Sequence, residues 1–446
     1  MNSSLSSNAY LRELKATLLL AAPITAGHLS QMLLGITDTL MIGRVGVVEL
    51  AASALSHTLV HFVFIVGVGL LTSVSVLVSH AYGAGNRTEA GEMLRRGLAI
   101  GVSGGLLMFV LLWGSFPFLQ HLGQPDDVVS ASKPYLWLLS VSLPFVMAII
   151  CYRNFSEAQD APWPAFWCGL TGVLLNIFLN WVLIYGNLGA PRLELVGAGI
   201  ATLISRVVNL VLLVSWLRMD RRFRDSWPVR WLAPMPWKAL QSMLKLGFPV
   251  GMQLLMEVGA FCSTTLFMGW LGIIEMASHQ IAITCAATTF MVPLGISLAV
   301  AIRVGHVIGG GEFHRARTVA YGALGFTVLL SSLFTVVFIV FNQPLANLFT
   351  PDPETAAMAA SLLVVAGFFQ LFDGSQVLAI GSLRGCKDVD VPTWIIFFSY
   401  WIVGIPLGLA LAFAFDTGAI GLWVGLAAGL GVASAGLLRR FNRLTS

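Results

Sequence analysis

Charge is what this sequence has least of. Only 10% of its 446 residues are Asp, Glu, Lys or Arg, where a soluble domain carries about a quarter. A chain this long and this poor in charge cannot cover its own surface with polar groups. Hydrophobic residues make up 57% of it, which leaves a polytopic membrane protein. The small net charge of +4 argues against nucleic acid as a partner. Cysteine is also scarce. Cys151, Cys168, Cys262, Cys285 and Cys386 lie in or beside apolar segments with no CxxC or other metal spacing, so they are expected to be small buried apolar residues. No HExxH and no nucleophile paired with a base is present, and the lone GxGxxT at Gly67 falls inside an apolar run. An intramembrane enzyme is therefore disfavoured. No short apolar segment with a small-residue cleavage site opens the chain, so the first apolar run is expected to be retained as a span.

What is present in abundance is length of apolar run. Each crossing needs about 20 apolar residues, and twelve such segments occur, near 14–42, 51–80, 94–118, 133–155, 164–187, 196–217, 239–271, 277–308, 316–343, 357–383, 391–414 and 418–438. No stretch shows the short alternation of a membrane barrel. The expected fold is an all-α membrane protein with twelve transmembrane helices. Basic residues concentrate in alternate loops, at Arg87, Arg95 and Arg96, Arg153, 218–238, Arg315 and Arg317, and Arg384 and Lys387, with more in both tails. By the positive-inside rule these loops and both termini face the cytosol.

The chain also repeats itself. Shifted by 226 residues, "MIGRVGVVELA" at 41–51 lands on "FMGWLGIIEMA" at 267–277. From Leu18 to Gly85 the match needs no gap, and 19 of 68 positions are identical, against roughly six for unrelated apolar sequences. The halves are thus expected to be two parallel six-helix bundles, 1–217 and 239–446, joined by a basic linker at 218–238. This is a transporter architecture with a central site between its halves.

Charges inside a bilayer are expensive and mark function by default. Asp38 falls in span 1, Glu257 in span 7 and Asp373 in span 10; Arg206, in span 6, reads as a structural counter-charge or as a side chain reaching toward an interface. The repeat sets Thr264 against Asp38 and Gln31 against Glu257, so the halves share a frame but not their acids. Residues seven apart share a helix face, about 10 Å apart along the axis, which puts Gln31 and Asp38 on one stripe. Asn176 and Asn180 form an i, i+4 pair on span 5, His57 and His61 another on span 2, and His279 and Gln280 open span 8. The asparagines can also simply tie helices together. Polar stripes on several spans imply a polar interior. Glu257 and Asp373 could bind a monovalent cation or share a proton, with Gln280 as a further oxygen ligand. Asp38 could instead act as a proton switch, because burial disfavours an ionised carboxyl and donated hydrogen bonds favour it.

The segments "SQMLLGITDTLMIGRVG" (30–46), "GFPVGMQLLMEVGAF" (247–261), "ASHQIA" (277–282), "RVGHVIGGG" (303–311) and "LFDGSQVLAIGSLRGCKD" (371–388) resemble the multidrug and toxic compound extrusion (MATE) family, NorM-type branch, and the resemblance covers nearly the whole chain. It implies a V-shaped antiporter in the cytoplasmic membrane. Such a protein exports organic cations against inward Na⁺ or H⁺ by rocking, with no bound cofactor and no obligate protein partner. The family's span-1, span-7 and span-10 acids fall on Asp38, Glu257 and Asp373, and its polar cluster in the first half falls on Asn176, Asn180 and Thr202. Two positions depart from family patterns: Asn180 stands where one branch has aspartate, and Phe369 where NorM-type relatives often have tyrosine. A lipid-linked precursor flippase shares this architecture but would be expected to have a more cationic interior.

Overall fold

The computed structural model describes residues 7–231 and 233–445. Twelve helices are long and apolar enough to cross a membrane: α1 (Ser7–Gly43), α2 (Val47–Gly83), α3 (Arg87–Gly114), α4 (Asp126–Glu157), α5 (Trp163–Tyr185), α6 (Glu194–Met219), α7 (Trp237–Leu271), α8 (Ile273–Gly309), α9 (Phe313–Val340), α10 (Pro353–Gly385), α11 (Asp390–Ala414) and α12 (Gly418–Thr445). Every expected span overlaps one of them, and no strand occurs among the described residues. Helix is the form that meets all backbone hydrogen bonds within the segment, as hydrocarbon requires. The helices outrun their apolar cores because polar caps extend them. The Asn86 side chain accepts from the Glu89 amide at 3.0 Å, and Asp352 accepts from Thr355 at 2.9 Å. Hydrogen bonding by Thr355 holds the Asp352 carboxyl below its ordinary range. Two spans are not regular. α4 breaks at Ser142, and α11 contains π-helical turns at Phe398–Gly404 and Ala410–Ala414. Of the cysteines, Cys151 and Cys168 are buried as expected, whereas Cys262 is exposed.

The chain forms two compact units, Met1–Thr25 with Met252–Ser446, and Ala26–Gly251. Cuts at the linker would give lobes 1–217 and 239–446; the compact units differ from these at their first helices. Both divisions lie just past a proline inside a helix, Pro23 in α1 and Pro249 in α7, where the ring removes a helical N–H and weakens continuity. The two cut points are 226 residues apart (251 − 25), the spacing of the sequence repeat. Accordingly Leu20, Ala21 and Ile24 of α1 pack with Ile296, Ala299 and Val300 of α8. In the other unit, Leu71, Leu94, Leu136, Leu139 and Phe155 form the core.

The repeat is visible atom by atom. A Cβ on Gly69 would lie 2.3 Å from the Gly251 Cα, and one on Gly295 would lie 2.0 Å from the Thr25 Oγ1. These two contacts are images of each other under the 226-residue shift, each inside its own unit. The turns after α2 and α8 match too: Gly85 (φ +73) and Gly311 (φ +81) occupy the left-handed region that glycine adopts without strain. The Gly69 contact carries a prediction. Gly69→Ala must push two helix backbones apart, so it should destabilise the protein by about 1–3 kcal/mol. Gly104 faces open space, and Gly104→Ala should be neutral or slightly stabilising, since alanine is the better helix former by about 1 kcal/mol. Thermal denaturation of the two purified variants checks this; equal melting would contradict it.

Candidate functional site

In the unit Ala26–Gly251, three helices converge on Asp38. α5 carries Asn176 and Asn180 one turn apart, and both are buried. The Asn180 Nδ2 donates to Asp38 Oδ1 at 2.6 Å and to Asn176 Oδ1 at 2.9 Å. The Asn176 Nδ2 donates to Thr202 Oγ1 of α6 at 3.4 Å, and that hydroxyl donates to the Ala198 carbonyl at 2.9 Å. Direction matters here. Because Thr202 donates to the backbone, its oxygen is free to accept from Asn176. Asn176 is then oriented with its oxygen toward Asn180, and Asn180 presents its NH₂ to the carboxylate. Arg206, bonded to Ser142 Oγ, lies within electrostatic range of Asp38, which fits the counter-charge reading. His57 meets the Tyr135 hydroxyl at 3.0 Å, a tie between helices. Gln31 is exposed on α1 and does not join this chain of bonds.

The second constellation lies in the unit that contains residues 252–446. α7 supplies Gln253 and Glu257, α10 supplies Asp373, Gln376 and Arg384, and the π-helical part of α11 supplies Tyr400. Gln253 Nε2 and Gln376 Nε2 both donate to Glu257 Oε1, at 3.1 and 3.0 Å. The Tyr400 hydroxyl donates to Gln376 Oε1 at 3.0 Å, which fixes that amide with its NH₂ toward Glu257. Arg384 Nη2 reaches Gln253 Oε1 at 3.4 Å and orients the other amide in the same sense. Asp373 is close enough to feel the Glu257 charge, but it has no hydrogen-bond partner among the described residues. Glu257 is thus held by two side-chain donors, whereas Asp373 has none among the described residues. Phe369 is buried among Phe261 and Trp423, with ring centroids at 6.1 and 5.4 Å. The ring is part of the aromatic core.

Gln280 is exposed, and its side chain makes no hydrogen bond to Glu257; the amides there belong to Gln253 and Gln376. Sequence reasoning missed these two, along with Tyr400 and Arg384. A usable signal existed for the glutamines, since Gln253 is i−4 from Glu257 and Gln376 is i+3 from Asp373, on shared helix faces. None existed for Tyr400 or Arg384.

Twelve membrane-length helices in a duplicated frame, with carboxylates held by side-chain donors inside both units, define a polytopic transporter rather than an enzyme. The MatE family model matches residues 23–182 and 249–410, and the two matches begin 226 residues apart. Probable multidrug resistance protein NorM of Pseudomonas aeruginosa is 36% identical over 445 residues, covering 99% of this chain and 91% of that one. The protein of the same name from Rhodopseudomonas palustris is 37% identical over 445 residues, covering 98% and 94%. Among solved structures, the Vibrio cholerae MATE transporter VcmN in the bent form superposes with a TM-score of 0.88 at 20% identity, covering 98% of each chain. An outward-facing multidrug resistance MATE family transporter does so with a TM-score of 0.87 at 19% identity, covering 100% and 99%. The chain belongs to the MATE family of membrane transporters and is of the NorM type.

Proposed function

We propose that this protein exports amphipathic organic cations across the cytoplasmic membrane in exchange for Na⁺ or H⁺, by rocking-type alternating access, with both termini in the cytosol. The observation that carries the reading is the Asp38 carboxylate, held at 2.6 Å by Asn180 within an apolar helix bundle. A carboxylate is worth holding inside a membrane when it binds a cation. Quaternary ammonium groups also gain from aromatic faces, and the chain has 28 phenylalanines and 13 tryptophans to provide them. The multidrug names of the relatives support drug export. Glu257 and Asp373 are the proposed coupling pair; Asp38 with Asn180, Asn176 and Thr202 is the proposed proton-sensitive cargo site. Basic loop residues support the orientation through the positive-inside rule.

Expression in a pump-deficient bacterium should raise resistance to several quaternary ammonium dyes and biocides at once. Dye efflux from energised vesicles, under a Na⁺ gradient and separately under a pH gradient, identifies the coupling ion. No protection across a broad cationic panel would overturn the cargo class, and efflux indifferent to both gradients would overturn the coupling.

A further inference from the structure

The segment joining α6 to α7 is the most basic part of the chain. Between residues 218 and 230 it carries five arginines (Arg218, Arg221, Arg222, Arg224 and Arg230) against two aspartates (Asp220 and Asp225). A solvated charged loop would be expected to swing freely, but this one is bolted down. The Asp220 side chain caps the 3₁₀ turn Arg221–Ser226 by accepting from the Arg222 amide at 2.9 Å. Phe223 is buried against Phe155, with ring centroids at 5.8 Å. The buried Ser226 hydroxyl donates to Gln159 Oε1 at 2.8 Å, and Trp227 stacks on Tyr152 at 6.2 Å. Farther on, Arg95 of α3 donates to the Ala233 carbonyl at 2.5 Å. α3 has a glycine where the segment crosses it: a Cβ on Gly91 would lie 2.4 Å from the Ser226 carbonyl oxygen.

With Phe223, Ser226 and Trp227 turned inward, the remaining side chains face outward as a fixed set. Arg221, Arg222 and Arg224 are exposed, and their side chains form no hydrogen bond or ion pair among the described residues. Beside them stand apolar side chains that water would not favour: Met219 is 83% exposed, Val229 92% and Trp237 68%. Cations beside exposed apolar and indole side chains suit one surrounding, the boundary of an anionic lipid leaflet. There the apolar groups enter the acyl region, tryptophan sits at headgroup level, and guanidinium groups meet phosphate.

We propose that residues 218–231 form a rigid strap that binds anionic phospholipid headgroups at the cytosolic membrane surface, with Arg221, Arg222 and Arg224 as its headgroup ligands. The strap is independent of cargo and coupling ion. Its rigidity gives it a purpose beyond generic positive charge. The anchors are already ordered, so a headgroup meets three guanidinium groups without first ordering the loop.

The test uses the full-length protein in nanodiscs of equal phosphatidylcholine and phosphatidylglycerol, with retained lipid counted by native mass spectrometry. The triple variant Arg221→Gln, Arg222→Gln, Arg224→Gln should melt like the wild type, because those side chains hold nothing in the fold. It should retain phosphatidylglycerol at least about tenfold less, since each of the three removed surface cations is worth about fivefold on an anionic leaflet. The control Arg439→Gln, Arg443→Gln removes exposed charge from the C-terminal end of α12 and should change retention less than twofold. Raising salt should bring the wild type toward the triple variant. Undiminished retention in the triple variant, or equal loss in the control, would overturn the strap. Displacement of the lipid by inorganic phosphate at matched ionic strength would show a small-anion site and overturn it as well.

Discussion

Glu257→Gln should lower ion-coupled efflux by at least about 30-fold while the protein still inserts and folds. Removing one member of a buried, hydrogen-bonded charge interaction costs about 2–5 kcal/mol, and each 1.4 kcal/mol is tenfold. The geometry makes the result specific. Both Gln253 and Gln376 aim their NH₂ groups at one oxygen of Glu257, and each amide is oriented from behind, by Arg384 and by Tyr400. A glutamine at 257 keeps the shape and still offers a carbonyl oxygen to those donors, but it brings no charge to a cation. Asp373→Asn should give the same loss of coupling for a different reason. Asp373 has no hydrogen-bond partner among the described residues, so the substitution breaks no hydrogen bond of the fold, and its variant should melt like the wild type. The measurement is efflux in proteoliposomes under imposed Na⁺ and pH gradients, with melting temperatures taken on the same preparations. Full ion-stimulated efflux in both variants would rule the pair out as the coupling site.

The frame of this protein was legible because its constraints are one-dimensional. A membrane span is a run of apolar residues, and a duplication is a fixed offset, so both survive in a single line of text. The offset of 226 reappears in the compact units, in the paired contacts Gly69–Gly251 and Gly295–Thr25, and in the turn glycines Gly85 and Gly311. The first-half polar chain was legible for a similar reason: Asn176 and Asn180 are a helical turn apart, and the family resemblance supplied Thr202. Contacts between distant segments were not. Tyr400 reaches Gln376 across 24 residues from a π-helical stretch whose irregularity no propensity announces, and Arg384 reaches Gln253 across 131. In the sequence Arg384 falls in a basic loop, yet its side chain is buried and reaches Gln253. Gln280 looked like a ligand beside Glu257 in a list of polar residues, but α8 turns it to an exposed face. The crossing of α1 and α7 between compact units was hidden because a proline inside an apolar run reads equally well as a tolerated kink.

Asp38→Asn should abolish pH-driven efflux and weaken cargo binding by about 30-fold or more, on the same scale of about 2–5 kcal/mol for a lost buried charge interaction, with normal expression. The chain Thr202, Asn176, Asn180 is polarised so that only a donor faces position 38. A donor at 2.6 Å favours the ionised carboxylate, while the apolar surroundings favour the neutral acid. An acid under opposed influences of this kind changes state when its exposure changes, as alternating access would make it do. Under the proposed function, the ionised state would attract a cationic cargo, and protonation would remove that attraction and the charge-assisted part of the bond to Asn180, releasing the cargo. Asparagine occupies the same volume, and its carbonyl oxygen can still accept from Asn180, so it imitates the protonated state permanently. A purely structural Asp38, tying α1 to α5, would tolerate this change, and efflux would continue at the wild-type rate. A proton switch would not: the variant should bind cargo poorly at every pH, and its efflux should no longer respond to a pH gradient. Binding of a quaternary ammonium dye across a pH series, alongside efflux from vesicles, separates the two roles. Wild-type rate and wild-type pH dependence in the asparagine variant would leave Asp38 a strut.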